Sequence, residues 1–169
     1  MKGNRKRSPT HHREQLLDNP RHDSYKAKGK LPDPTRCPEC GAVFHKGRWT
    51  WNGAARGAVH EQLCPACQRI RDGFPAGYVT LAGDYLAGHR EEILGIARNC
   101  ETVEKSRHPL QRIIAIKDVA GGVLVTTTDA HLARRVLYEL LASPSRVALP
   151  TRAPESLIFH TLPSDPPRT

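Results

Sequence analysis

Two short cysteine pairs constrain this chain more than anything else in it. They are Cys37-Pro-Glu-Cys40-Gly41 and Cys64-Pro-Ala-Cys67, separated by 23 residues. Two residues between paired cysteines let both sulfurs reach one ion while local backbone N–H groups point at them. Glycine after Cys40 permits a tight turn with positive φ. Two such knuckles supply tetrahedral four-thiolate coordination, the geometry of a structural zinc site. With all four positions filled by cysteine, none is left for water or substrate, which points to structure rather than catalysis. A thioredoxin-type redox pair is the first rival, but the βαβ surroundings it needs are missing. An iron–sulfur cluster also takes four cysteines; the paired knuckles and the hairpin expected between them favour zinc. His45 and His60 lie in the intervening stretch and are further candidate ligands, expected to stay free beside four cysteines. Cys100 falls on a helical apolar stripe and reads as a buried thiol.

Composition bounds the rest. The 169 residues include 14 prolines and 13 glycines with 5% aromatics, too little to build one large core along the whole length. No stretch approaches the roughly 20 apolar residues that span a bilayer. The opening MKGNRKRSPTHHREQ is basic but has no apolar run behind it, unlike a secretory signal. A cytoplasmic location is therefore expected, where cysteines stay reduced and pairs of this kind bind metal before they form disulfides. The net charge of +9 is uneven. Residues 1–30 hold nine Lys/Arg against three acids, residues 31–76 six against four, and residues 77–169 eleven against ten. A basic arm on a nearly neutral body favours a polyanionic partner such as RNA, DNA or an acidic surface.

The pattern along the chain divides it in four. Residues 1–34 read as a basic flexible arm that ends in the stiff segment Leu31-Pro-Asp-Pro34. Residues 35–76 carry the knuckles and read as a zinc ribbon. From residue 77 to 162 the periodicity alternates. GYVTLA (77–82) is β-prone. Leu86, Ile93, Ile96, Ala97, Cys100 and Val103 form one stripe of a helix over 85–107, ended by His108-Pro109. Two β-branched runs, 110–117 and 122–127, flank a turn at Gly121-Gly122 and predict a hairpin. Asp129 is placed as the N-cap of a second helix with Leu132, Ala133, Val136, Leu137, Leu140 and Leu141 as its stripe. Residues 156–162 supply a last strand, and the Pro-rich 163–169 a disordered tail. The predicted class is α+β: a four-cysteine zinc ribbon followed by a small ferredoxin-like β-α-β-β-α-β domain.

From Cys37 onward, CPECGAVFHKGRWTW and CPACQRIRDGFPAGYVTLAG resemble a family of short bacterial zinc-ribbon proteins. They are similar, more distantly, to the N-terminal zinc region of the archaeal and eukaryotic export adaptor of the large ribosomal subunit. The matching positions are the four cysteines, Gly77-Tyr78, the GGVLVTTTD strand and Leu132-Ala133-Arg134, within about residues 35–142. The chain has one set of zinc-type cysteines where the adaptor has two. The resemblance implies a link to ribosomes or RNA.

Cations and aromatics cluster around the knuckles. Lys46, Arg48, Trp49 and Trp51 stand between them, and Arg69 and Arg71 follow the second. Cations pair with phosphates, and an exposed indole stacks on an unpaired base. Alternation along a strand would put Trp49 and Trp51 on one face, either stacked on RNA or closed over the metal site. With Arg5, Lys6 and Arg7 of the arm, these residues form the predicted RNA-binding set. No nucleophile–base pair is visible, and Gly121-Gly122 lacks the lysine and spacing of a phosphate loop. The expectation is a non-enzymatic RNA-binding protein carrying Zn2+ and associated with ribosomal RNA or a ribosomal subunit. The alternative is a protein-interaction or transcription-linked adaptor whose ribbon docks on a protein.

Overall fold

A computed structural model of the chain describes residue 25 and residues 29–53, 59–142 and 157–160. The predicted RNA-contacting residues Arg5, Lys6 and Arg7, most of the basic arm and the tail at 163–169 lie outside them. The described residues form a mixed α/β structure with three helices and two four-stranded sheets.

The first sheet surrounds the knuckles. Its strands are β1 (Thr35–Arg36), β2 (Val43–His45), β3 (Arg48–Thr50) and β4 (His60–Glu61), in the order β3-β2-β1-β4. β2 and β3 form an antiparallel hairpin closed by Lys46 and Gly47, both with positive φ. β1 pairs antiparallel with β2 and parallel with β4. Helix α1 (Pro65–Asp72) follows at once and ends on Gly73 in the left-handed conformation. The Pro-Asp-Pro lead-in does more than space the ribbon. The Asp33 carboxylate accepts the Lys46 backbone N–H at 2.8 Å and lies 2.7 Å from His45 Nδ1, so it fastens the hairpin tip. The ordered ribbon also draws in Tyr25, assigned from sequence to the flexible arm. Its hydroxyl donates to Asp72 and its ring stacks on Phe74 at 6.0 Å.

The second unit runs β5 (Gly77–Ala82), α2 (Asp84–Arg107), β6 (Ile113–Val119), β7 (Gly122–Thr127), α3 (Ala130–Ala142) and β8 (Leu157–His160). Its strand order is β6-β7-β5-β8, and every neighbouring pair is antiparallel. Alternation explains the layering. Val79 and Leu81 of β5 pair across with Val125 and Val123 of β7, so all four point to one face. There they form one core with Leu86, Ile93, Leu94, Ala97 and Cys100 of α2 and with Leu132, Ala133, Val136 and Leu140 of α3. Both helices therefore cover the same face of the sheet. Gly122 is required where β7 meets β5, since a Cβ there would fall 2.0 Å from the Leu81 carbonyl oxygen.

Four details differ from the sequence reading. β6 starts at Ile113, because residues 108–111 close a turn in which Gln111 N–H donates to His108 O. Helix α2 bends at His89 (φ −128°, ψ 21°), just after Gly88, a residue type that holds a helix weakly. Its buried stripe includes Leu94, which was not expected, and excludes Val103, which is 42% exposed. The reason is angular: Val103 stands about a quarter turn around the helix from the row of Ile93, Ala97 and Cys100 that meets the core. On α3, Leu141 at the far end is likewise exposed.

Candidate metal centre

The first knuckle is a turn. Gly41 N–H donates to Cys37 O and Cys37 N–H to Ala42 O, with Gly41 at φ +76°. The second knuckle is a helix start. Cys64 is the N-cap of α1, Pro65 stands at its first position, and the Cys64 sulfur accepts the Cys67 backbone N–H at 3.4 Å. Proline is accepted there because the first N–H of a helix has no partner to lose. The knuckles also bond to each other, Cys64 N–H donating to Cys37 Sγ at 3.4 Å. Each such N–H lowers the cost of a negative sulfur, and the N-terminal end of α1 adds its positive dipole end.

The four sulfurs lie within 4.8 Å of one another. Cys40 Sγ and Cys64 Sγ are 3.7 Å apart. A tetrahedron with metal–sulfur bonds of about 2.3 Å has an edge of about 3.8 Å, so the cluster has the dimensions of a four-thiolate metal site. Cys37, Cys64 and Cys67 are buried and Cys40 is partly so. Left to themselves, these thiols cannot all ionise. Burial opposes ionisation of Cys37, but the backbone N–H groups of Cys64, Cys40 and Glu39 outweigh it and bring the thiol down to about 7. Burial then pushes Cys64 up to about 11, with the neighbouring sulfurs adding to the rise, and Cys67 still higher. A dication among the sulfurs resolves this conflict, and the donor set fits one.

Sequence reasoning missed Arg112, the residue that completes this site. It belongs to the second unit, just before β6, and is 6% exposed. Its Nε donates to Pro109 O at 2.7 Å, its Nη1 lies 3.3 Å from Cys67 Sγ and its Nη2 3.9 Å from Cys64 Sγ. Burial works against its charge, but the sulfurs of Cys40 and Cys67 more than compensate and hold the guanidinium protonated more firmly than usual. The available signal was an arginine directly ahead of the apolar run 113–116, since a charge carried into a core needs a buried partner.

The predicted RNA-contacting residues in the described part fall into two groups. Lys46 and Arg48 are exposed at the tip of the β2–β3 hairpin. The others make contacts within the fold, Arg71 while still exposed. Arg69 corrects the expectation most directly. It is 2% exposed, with Nη1 donating to Phe74 O and its guanidinium 4.4 Å from the Tyr25 ring centroid. It lies on the inner face of α1, whereas Arg71, two residues on, faces outward and pairs with Glu39 at 2.8 Å. That pair joins α1 to the first knuckle, and Arg71 holds the Glu39 carboxyl below its usual range. Trp49 and Trp51 make different contacts. β3 ends at Thr50, so strand alternation does not reach Trp51. Trp49 packs against the cysteine cluster and tilts onto Phe44 at 5.7 Å. Trp51 instead docks on the C-terminal end of α2, its Nε1 donating to Lys105 O at 2.6 Å.

Between the ribbon and the second unit lies a cleft of about 670 Å³. Phe44, Trp49, Leu31 and Leu63 give it apolar walls, Lys30 and Arg48 bring cations, and Gln68 and Gln111 bring amides from opposite units. No protein-family model matches this chain, and neither does any curated protein or solved structure.

Proposed function

We propose that this is a non-enzymatic zinc protein that binds RNA in the cytoplasm and associates with ribosomes or their subunits. Zinc is the ion that four thiolates in a closed tetrahedral set suit, because it needs no redox change and no open position. In this reading residues 35–76 are a zinc ribbon, and the strand order and antiparallel pairing of the second unit support a ferredoxin-like sandwich for residues 77–162. The similarity of the knuckles to those of ribosome-linked zinc ribbons points the same way.

One observation carries the RNA reading. The cysteine cluster anchors a hairpin whose exposed cations, Lys46 and Arg48, stand beside a cleft with Phe44 and Trp49 in its walls. Cations along a rim track a phosphate chain, and aromatic rings in the groove accept unpaired bases. The nine Lys/Arg of residues 1–30 add affinity with little regard to sequence. Arg69 has no part in this, being turned inward, and Trp51 serves the contact between the units.

Sedimentation of a lysate tests the proposal. The protein should travel with ribosomal subunits and leave them as salt rises, because each phosphate contact releases counterions. Lys46→Ala with Arg48→Ala should weaken selective association more than binding to random RNA, and deletion of residues 1–24, which keeps Tyr25 on Phe74 and Arg69, should weaken both. Association that ignores salt, or survives all of these changes, would instead favour a protein partner for the ribbon.

A further inference from the structure

Arg112 is fixed at both ends. Its backbone belongs to the second unit: its N–H donates to Thr128 Oγ1, and Thr128 N–H donates back to Arg112 O. Its side chain crosses to the ribbon and ends against Cys67 and Cys64. The guanidinium also stands 5.8 Å from the Trp51 ring centroid, beside the indole that docks on α2. Arg112 and its bonds to Pro109 and the two sulfurs are buried, and a buried cation needs an anion in place.

A loaded site provides that anion. Four thiolates around one dication leave a net charge of about −2, and among the described residues Arg112 is a cation whose hydrogen-bonding groups reach its sulfurs. We propose that Arg112 is a positioning residue that couples the two units to the metal: it donates to the metal-bound thiolates from the second unit, so the contact between the units, and the cleft formed there, depends on the charge of the loaded cluster. The inference does not rest on RNA being the ligand. It makes the chain a metal-conditional assembly, in which loss of the ion both releases the ribbon and leaves the other half of the interface with an unmatched charge.

Cobalt substitution in the full chain tests this. In a tetrahedral thiolate site Co2+ gives a sulfur-to-metal charge-transfer band, and hydrogen bonds to the sulfurs hold that band at higher energy. Arg112→Met keeps the bulk and removes the donors. The variant should still bind one metal ion, with the band moved to lower energy. Metal affinity should be 10–100-fold weaker, about the usual effect of losing a partner that hydrogen-bonds to metal ligands. The Trp51 indole N–H, identified through Trp51→Phe, should exchange faster in the zinc-loaded variant. A packing role alone would leave the band where it is. If Arg112→Met does not fold, Arg112→Lys is measured instead; it keeps the charge but loses the fork, and the band should move in the same direction by less. An unmoved band with affinity within about twofold of the parent would overturn the proposal.

Discussion

Removing the metal should dissolve the ribbon and leave the second unit folded. The structure shows how unequal the two units are. Outside its cysteines, the ribbon's fully buried apolar side chains are Ala42, Val43 and Ala66. Together these stabilise it by about 3–5 kcal/mol at ordinary burial values. Metal binding to a four-ligand structural site contributes about 10–16 kcal/mol near neutral pH, so the ion outweighs the burial of these three side chains by a factor of about three. The second unit has a continuous core that includes Val79, Leu81, Leu94, Val125, Leu132 and Val136 and none of the four clustered cysteines. Amide hydrogen exchange after chelation should therefore show near-complete loss of protection over residues 35–73, with the central turns of α2 and strands β5 and β7 still protected. Cys64→Ser should reproduce the result without chelator. Cys100→Ser, buried in the α2–α3 core and not in the cluster, should leave metal content unchanged. Ribbon amides that stay within about tenfold of their loaded protection would refute the argument that the ion supplies most of the ribbon's stability.

Two smaller perturbations probe local geometry. Gly122→Ala forces a methyl against the β5 backbone at Leu81 and should cost about 1–3 kcal/mol, read as a lowered Tm of the second unit; an unchanged Tm would show that β7 shifts away freely. Asp33→Asn removes the carboxylate that holds the hairpin tip, so the Lys46 amide should exchange faster at neutral pH with the metal still bound. The Lys46 N–H, followed by the His45 ring, holds the Asp33 carboxyl below its ordinary value. Its contribution is present above that ordinary value and fades only as pH falls through the lower folded one. A Lys46 amide indifferent to the substitution would count against this fastening.

What the sequence by itself determined is what short-range geometry encodes. Spacing alone brought the four cysteines forward as one candidate site, because a two-residue gap in a tight turn or helix start leaves few arrangements for the sulfurs. The alternation of Val79 and Leu81, the 3.6-residue recurrence of Ile93, Ala97 and Cys100, and Asp129 at a helix start are local as well, and each element stands near its expected place. Tertiary structure alone decided which polar and aromatic residues face solvent. Arg69 and Arg71 look alike in sequence, yet one fills the space beneath Tyr25 and the other pairs at the surface. Trp51 was assigned by a period that stops where β3 ends, and Val103 by a stripe wider than the face the core covers. Arg112 could be matched to the cysteines only after the chain had folded back across 45 residues to set its guanidinium against Cys67. Burial and charge pairing are sums over neighbours distant in sequence, and no local pattern carries them.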